Sequence, residues 1–371
     1  MSPAGPAPAI TQKRSSFPLC STGAFSTPST LAEFGISCGT MALDPADPTL
    51  DVIVPVYNAA ATLDRVLAAL VPAAGRDHVI AVDAGSEDES AGVAERHGVR
   101  VVRLGERAGP ARARNEGARQ SSADVLLFID SDCVAHAGCV DSVRAAFRRD
   151  PGLASLTGSY DAAPPDPGFF SQYVNLRHHF VHQRARRDEA TFWAGCGAVR
   201  RSLFLQAGGF DAERYPVPAI EDIELGARLR KLGTTKLDPD LQVTHLKRWT
   251  LRSMIETEIF HRAVPWARLL LERGVLPNDL NLRTSQQFAV PVAFLTLLSL
   301  VAVLFAPRPS FLLVALGLVL LSALLNASIL RFFAEQRGLW FAGRAWLTHQ
   351  LHLAYGGAAF GMCALLHWAR R

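Results

Sequence analysis

Two carboxylates stand one residue apart, at Asp130 and Asp132, directly after the apolar run Val125 to Ile129. Side chains two residues apart on a strand point the same way, so both carboxylates would lie together where the strand ends. In open α/β sheets, ligands bind at that edge. Hard carboxylate oxygens suit Mg²⁺ or Mn²⁺ carrying a diphosphate. A strand that ends in a solvated acidic turn has the same pattern, so other residues must decide between the two interpretations.

Three further carboxylates stand where a ligand could bind. Asp83 ends a second apolar run, His78 to Val82, and Gly85-Ser86 follows it as a turn. A Gly-Ser turn after a strand suits a nucleotide-binding loop, and it also suits an ordinary loop that caps the next helix. Glu221 and Asp222 open a predicted helix, where acidic side chains also stabilise the helix dipole. Each pattern leaves a structural and a functional interpretation open.

The elements that must position these side chains alternate between strand and helix. Apolar runs predict strands at 50–56, 78–82, 99–104, 125–129 and 154–160, with helical spacing at 59–70 and 109–118 between them. Later segments predict helices at 169–187 and 221–232 and a strand that ends at 242–245. Between the two helices, Gly195 and Gly197 are small residues that would let a ligand approach the backbone. This alternation predicts an α/β domain with a central, mostly parallel sheet. A glycine-rich GxGxxG motif is absent, which argues against a dinucleotide cofactor.

The six cysteines do not show the paired spacing of a disulfide framework. Reduced thiols in a cytosolic compartment are the simpler interpretation. Cys133, His136 and Cys139 can be drawn as a zinc cluster, but no second CxxC accompanies them. The histidines within 169–187 indicate a mixed basic helix face rather than metal ligands.

The chain has a net charge of +4, which gives no reason to expect a nucleic-acid partner. Residues 1–48 are rich in Pro, Ser, Thr, Ala and Gly and lack the continuous apolar core of a secretory signal. This composition predicts a disordered N-terminal extension. Met41, seven residues before Pro48, is an alternative start of translation.

The sequence becomes strongly apolar beyond Gln287. The runs at about 288–306 and 311–330 each have the length needed to cross a bilayer core of ~30 Å. A third run at about 345–367 carries polar residues in its first half, so we expect three crossings over 288–371, with two as the alternative. A buried hairpin in a soluble domain would have the same composition.

Arginines at 331, 337 and 344 lie between the second and third runs. Because such residues favour the cytoplasmic side, they predict a cytoplasmic catalytic domain in an integral protein of the inner or plasma membrane. Residues 249–287 interleave apolar and charged side chains, which predicts amphipathic helices on the membrane surface.

The order of seven motifs over roughly residues 50 to 250 resembles an inverting family 2 glycosyltransferase with a GT-A, or nucleotide-diphospho-sugar transferase, fold. The resemblance therefore implies a GT-A domain at 49–248. The motifs are Pro55-Val56-Tyr57-Asn58, Asp83-Ala84-Gly85-Ser86-Glu87-Asp88, Ala113-Arg114-Asn115-Glu116-Gly117, Asp130-Ser131-Asp132, Gly208-Gly209-Phe210-Asp211, Glu221-Asp222 and His245-Leu246-Lys247-Arg248-Trp249.

The resemblance also implies roles for individual residues. Asp132 would be a ligand of Mg²⁺ or Mn²⁺, and Asp130 would contact the metal or the nucleotide. Asp222 would be the base that deprotonates the acceptor, and a single base without a covalent nucleophile implies inversion. Arg114 would lie near the donor or brace its loop. The remaining donor-binding residues would be Pro55, Tyr57, Asn58, Asp83, Gly85 and Ser86, with Glu221, Arg248 and Trp249 on the acceptor side.

The expected function is that of a membrane-anchored, metal-dependent glycosyltransferase of hexosyltransferase type. It would move a sugar from a nucleotide-sugar donor to a lipid or lipid-linked saccharide acceptor. His245 stands where processive polysaccharide synthases have Gln in Gln-x-x-Arg-Trp, so a processive synthase is one alternative. A non-catalytic scaffold that binds nucleotide sugars is another, although it would have no use for a base such as Asp222.

Overall fold

The computed structural model describes residues 47–189, 191–274 and 284–369. The predicted disordered extension at 1–48, apart from its last two residues, and the alternative start at Met41 lie outside the described residues.

A mixed sheet of eight strands forms the centre of the described chain, in the order β3-β2-β1-β4-β7-β6-β8-β5. The first four strands are parallel, as the alternating pattern predicted. The sheet as a whole is mixed because β7 runs antiparallel to both β4 and β6, and β5 runs antiparallel to β8. The strands are β1 (Leu50–Val56), β2 (Val79–Asp83), β3 (Arg100–Arg103), β4 (Val125–Ile129), β5 (Cys133–Ala135), β6 (Leu153–Tyr160), β7 (Cys196–Arg200) and β8 (Thr234–His245).

Helices cover both faces of this sheet, and each face has its own core. β2 and β4 are buried along their whole length, which explains their continuous apolar sequences. On one face Gly117 lets its helix approach the sheet closely, since a Cβ there would lie 2.5 Å from Cγ2 of Ile53. The helices of this domain are α1 (Ala60–Ala74), α2 (Ser90–Arg96), α3 (Pro110–Gln120), α4 (Cys139–Arg149), α5 (Phe169–Arg184), α6 (Arg201–Gln206) and α7 (Glu221–Leu229).

The segment predicted to be amphipathic is helical where it is described, up to Arg273. It comprises α8 (Leu251–Glu256), a π-helical turn (Thr257–Ala263) and α9 (Val264–Arg273). A buried apolar cluster that includes Tyr173, Trp249 and Phe333 joins this region to α5 and to the C-terminal helices.

Three apolar helices end the described chain: α10 (Thr284–Phe305), α11 (Pro309–Leu325) and α12 (Ala327–Trp368). Within α10, Gln287–Phe305 is long and apolar enough to cross a membrane. α11 and α12 meet at a bend of 76°, and together they count as at most one further candidate span. α12 is also interrupted at Gly338, whose φ is 84°. The third predicted run, 345–367, lies in the part of α12 that follows this interruption.

Candidate functional site

The loops after β1 and β2 hold each other in place at one end of the parallel strands. Asn58 has a left-handed backbone with φ of 47°, and its Oδ1 accepts a 2.8 Å hydrogen bond from the Glu87 amide. The Asn58 amide in turn donates to Oγ of Ser86 at 3.0 Å. Oδ1 of the buried Asp83 accepts from the Ser86 amide at 3.1 Å. The structure therefore brings three of the predicted donor-binding residues together.

The other predicted donor-side residues lie on the same two loops or below them. Gly85 turns the second loop with φ of 82°, and a Cβ there would lie 2.6 Å from the backbone carbonyl carbon of Glu106. The ring of Tyr57 lies under the guanidinium of Arg107, 5.1 Å from its centroid. Pro55 is buried within β1, so it forms part of the floor beneath these loops.

Arg114, on α3, joins the two acidic motifs. Its Nη2 donates to Oδ1 of Asp130 at 2.6 Å, and its Nη1 donates to Oε1 of Glu221 at 2.9 Å. The Arg114 side chain is only 5% exposed. Burial alone would lower the pKa of this guanidinium, but the charges of Asp130 and Glu221 raise it above its ordinary value. Arg114 therefore carries a permanent charge and fixes both carboxylates.

Asp132 belongs to a different group, with Cys133 and His245. One ligand atom from each of these three residues lies within 4.8 Å of the others, which fits a single metal ion. The group forms because β5 pairs antiparallel with β8, which places Cys133 opposite His245. The His245 ring also stacks on Tyr160, with centroids 4.3 Å apart. Sequence reasoning missed His245 as a candidate ligand, since its proximity to Asp132 depends on this long-range register.

The donor chemistry of this group favours a hard or borderline cation. Nε2 of His245 lies 3.5 Å from Oδ2 of Asp132. Burial would raise the pKa of Asp132, but the charge and hydrogen bond of His245 lower it to about 2. A carboxylate and an imidazole suit Mn²⁺, whereas the Cys133 thiol is a softer donor. The predicted ligand Asp132 lies in the group, while a carboxylate oxygen of Asp130 is bound by Arg114.

Asp222, at the start of α7, has the features of a base. Its Oδ2 accepts a 3.2 Å hydrogen bond from the Ala194 amide, and its Oδ1 accepts from the Ile223 amide at 2.8 Å. Desolvation and the neighbouring charge of Glu221 raise the pKa of Asp222 to about 7, against the opposing effect of Arg114. A carboxylate with this pKa can accept a proton near neutral pH.

A cavity of about 500 Å³ adjoins Asp222 on the side that faces the C-terminal helices. Its wall combines apolar and aromatic side chains with a few charged ones, as ligand pockets do. Residues of α5, the π-helical turn and α12 contribute to this wall, so the cavity lies between the sheet domain and the C-terminal helices. The charged and aromatic lining residues include Arg177, Trp193, Asp222, Glu258, Arg262 and Trp266.

Three residues predicted on the acceptor side have other positions. Glu221 is buried and forms an ion pair with Arg114, so it holds the Arg114 side chain in place and does not face the cavity. The Arg248 side chain is 85% exposed and lies 3.6 Å from Asp166. Trp249 is buried in the apolar cluster with Tyr173, and its amide donates to Oγ of Ser171. None of the three is among the described residues that line the cavity beside Asp222.

The residues of the alternative zinc cluster are separated. Nε2 of His136 lies 3.1 Å from both Oδ2 of Asp161 and Oγ1 of Thr244. Cys139 is buried at the start of α4. Within the described part of the chain, no metal-binding group contains Cys133, His136 and Cys139 together.

Residues 51–207 match the family model described as glycosyl transferase family 2. Over these residues the chain is similar to a glycosyltransferase family 2 domain. The matched residues include the loops after β1 and β2, Arg114 and the Asp130-Ser131-Asp132 motif. Asp222 and His245 lie beyond the matched residues.

Relatives of the family 2 domain carry glycosyltransferase names. Validoxylamine A glucosyltransferase from Streptomyces hygroscopicus subsp. jinggangensis is 31% identical over 223 residues, which cover 50% of this chain and 52% of that protein. Pre-mycofactocin glycosyltransferase from Mycobacterium tuberculosis is 26% identical over 227 residues, covering 58% and 47%. The chain thus spans about half the length of these relatives.

A solved structure confirms the architecture. The mannosyltransferase from Pyrobaculum calidifontis, in complex with GDP-Man and Mn²⁺, superposes with a TM-score of 0.53. The match covers 85% of this chain and 88% of that one at 18% identity. At this identity the likeness shows the fold, which is GT-A-like.

Proposed function

We propose that the protein is an inverting, metal-dependent glycosyltransferase that transfers a hexose from a nucleotide-sugar donor to a lipid or lipid-linked saccharide. The observation that carries this proposal is the position of Asp222. It lies next to Glu221, which Arg114 ties to Asp130, and it also lines the apolar cavity. A base between an acidic donor site and an acceptor-sized cavity is the arrangement that direct displacement requires.

The donor would bind between the loops after β1 and β2 and the acidic motif. Asp83 would accept from the nucleobase, and Tyr57, Asn58 and Ser86 would surround the nucleoside. Asp132 and His245 would hold a divalent cation, which neutralises the diphosphate leaving group when bound. The GDP-Man and Mn²⁺ bound by the structurally similar mannosyltransferase support this assignment.

Asp222 would remove the proton from the attacking acceptor hydroxyl. Its pKa of about 7 leaves much of the carboxylate ionised and able to accept this proton at neutral pH. The Ala194 and Ile223 amides would each hold one carboxylate oxygen and so fix the orientation of the base beside the cavity. Because the acceptor attacks directly, the configuration at the anomeric carbon would invert.

Exposed apolar side chains support a membrane location and a lipid acceptor. Leu298, Leu304 and Phe305 of α10 are exposed, as are Leu313 and Leu324 of α11. Contiguous apolar surface of this kind marks an interaction with a membrane or a partner. The arginines at 331, 337 and 344 on α12 favour a cytoplasmic site, where nucleotide sugars are made.

The test uses the full-length protein with UDP- and GDP-sugars, Mn²⁺ and a lipid extract. We expect a thermal shift with one donor class and transfer of its labelled sugar to a lipid product. Asp222→Asn should keep the donor-induced thermal shift and lose transfer. Transfer by Asp222→Asn at the wild-type rate would contradict the assigned base, and transfer to soluble sugars alone would contradict a lipid acceptor.

A further inference from the structure

A cluster of buried charges lines the cavity on the wall formed by α5 and the π-helical turn. We call Arg177, Glu258 and Arg262 the charge cluster. Nη2 of Arg177 lies 2.8 Å from Oε2 of Glu258, and Nη1 of Arg262 lies 2.5 Å from Oε1 of the same carboxylate. The side chains of Arg177 and Glu258 are 3% and 4% exposed. All three residues line the cavity that contains Asp222.

The charges in this cluster do not balance. Two guanidiniums, counted as +2, face one carboxylate, counted as −1, which leaves +1. Burial would raise the pKa of Glu258, but Arg177 and Arg262 hold it well below its usual range, so the carboxylate is ionised. Burial and the two arginines lower the pKa of the adjacent His178, which is therefore neutral. A net positive charge thus remains within the charge cluster, on the cavity wall formed by α5 and the π-helical turn.

The side chains of Arg177 and Glu258 are almost fully buried, whereas that of Arg262 is partly exposed. Arg177 also donates through Nη1 to Nδ1 of His352 at 2.6 Å, which fixes it against α12. Nη1 of Arg262 donates to Nε2 of His178 at 2.8 Å. The Arg262 side chain remains 32% exposed. Because Arg177 and Arg262 share one carboxylate, an anion that enters the cavity would supply the second countercharge.

The cavity also holds an unpartnered polar atom. His182 lies one helical turn after His178 on α5, is buried and lines the cavity. Its Nδ1 has no hydrogen-bond partner among the described residues. Burial lowers the pKa of His182 to about 4, so its ring is neutral and adds no charge to this wall. Because its Nδ1 is itself buried, the partly exposed group that a ligand can reach here is Arg262.

We propose that the charge cluster binds an oxyanion, a phosphate ester or a carboxylate, carried by the acceptor. This inference rests on the proposed function and names the chemical class of the acceptor. The acidic group would contact Arg262, and an acceptor hydroxyl would lie at Asp222 in the same cavity. Guanidinium groups bind such oxyanions through paired, charge-assisted hydrogen bonds.

The binding test uses full-length protein in nanodiscs of zwitterionic lipid, titrated calorimetrically with decyl phosphate, decyl glucoside and inorganic phosphate. We expect wild type to bind decyl phosphate at least about tenfold more tightly than the other two probes. Arg262→Gln should remove this preference, and Arg262→Lys should restore part of it. Arg252→Gln is the matched control, because Arg252 lies on the neighbouring helix α8, pairs with Glu256 and does not line the cavity.

Three outcomes would overturn the inference: equal affinity for decyl phosphate and decyl glucoside, equal loss in Arg252→Gln and Arg262→Gln, or inorganic phosphate binding as tightly as decyl phosphate. The last result would indicate a site for the free ion instead. Donor binding is measured separately by thermal shift with the nucleotide sugar and Mn²⁺. If the inference fails while donor turnover persists, the proposed function stands. If no donor is turned over but decyl phosphate binding still depends on Arg262, the proposed function is the part that fails.

Discussion

Asp130 and Glu221 are more than ninety residues apart in sequence, yet they bind opposite nitrogens of one guanidinium. Arg114 donates to Asp130 at 2.6 Å and to Glu221 at 2.9 Å. Asp130, directly after β4, and the start of the helix that carries Asp222 are therefore linked through one buried side chain. Any change at Arg114 should act on both halves of the site.

Arg114→Met should destabilise the protein. Without the guanidinium, Glu221 would be a buried charge without a counter-ion, and breaking such a pair typically lowers the free energy of unfolding by about 3 to 5 kcal/mol. Urea unfolding measures this loss. Arg119→Met is the control, since Arg119 lies on the same helix with a 70% exposed side chain. Equal stability of the two variants would contradict the buried linkage.

Asp222→Asn should lower the rate of sugar transfer by about 10² to 10⁴-fold, the range for loss of a general base. Donor affinity should be unchanged, because no donor-side loop contains Asp222. Single-turnover transfer and donor titration measure the two quantities. Asp141→Asn, on the exposed face of α4, serves as the control and should retain the wild-type rate.

The pH dependence of transfer should follow the pKa of Asp222. Its value of about 7 means that the active, ionised form is lost as the pH falls below neutrality. The rate should then fall about tenfold for each further pH unit. Arg114 opposes the raised pKa of Asp222, so any active Arg114 variant should have its pH profile displaced upward. A flat profile between about pH 5 and pH 8 would argue against Asp222 as the base.

The raised pKa of Asp222 also predicts that the free energy of unfolding changes with pH in the opposite direction to the transfer rate. The folded protein retains the Asp222 proton up to about pH 7, whereas an unfolded chain releases it near its ordinary value of 3.8. The folded state binds more protons between these values, so this group's contribution to the free energy of unfolding falls as the pH rises through that window. Asp222→Asn should remove this contribution. Urea unfolding of both proteins at a series of pH values measures the difference.

Removal of divalent metal should abolish transfer, and Mn²⁺ should restore it. Asp132→Asn and His245→Ala should each raise the Mn²⁺ concentration needed for half-maximal rate. Cys133→Ser should leave it near the wild-type value, because a thiol contributes little to a site for a hard cation. Mn²⁺ titration of the transfer rate compares the three variants. An effect of the Cys133 variant alone would show that Asp132 and His245 are not the metal ligands.

Trp249→Ala should be destabilising by about 3 to 5 kcal/mol, the usual range for removing a large aromatic side chain from a core. Trp249 is buried between α5 and the C-terminal helices. Trp249→Phe should recover most of this stability. If Trp249 also contacts the acceptor, as the motif predicted, Trp249→Phe would raise the KM for the acceptor while leaving donor affinity unchanged.

Local apolar patterns predicted the parallel half of the sheet well. β1 and β4 have the predicted bounds because their residues, apart from Asp51, are apolar and buried on both faces of the sheet. β8 ends at His245, as predicted, but its start at Thr234 was not predicted, since Lys236, Asp238 and Asp240 interrupt its apolar pattern. Its parallel pairing with β6 overrides that local composition.

The candidate site was predictable where function depends on residue type and unpredictable where it depends on distant pairing. The carboxylates Asp83, Asp132 and Asp222 stand out because they interrupt or follow apolar runs. Two relationships could not be predicted in that way. His245 approaches Asp132 only through the pairing of β5 with β8. Arg262 lines the cavity only because the C-terminal helices pack over it. Neither leaves a local periodic signal.

The π-helical turn Thr257–Ala263 accommodates one residue more per turn than an α-helix, and both Glu258 and Arg262 lie within it. Deleting a single residue there, such as Ile259, would restore the ordinary helical period. The turn would then hold one residue fewer, so α9 and Trp266 would keep their orientation towards the cavity. Glu258 and Arg262 would instead become three residues apart rather than four, which would change the geometry of their salt bridge. The π-helical turn therefore acts as a local spacer, and length variation within it would alter the charge cluster while leaving the rest of the cavity wall in place.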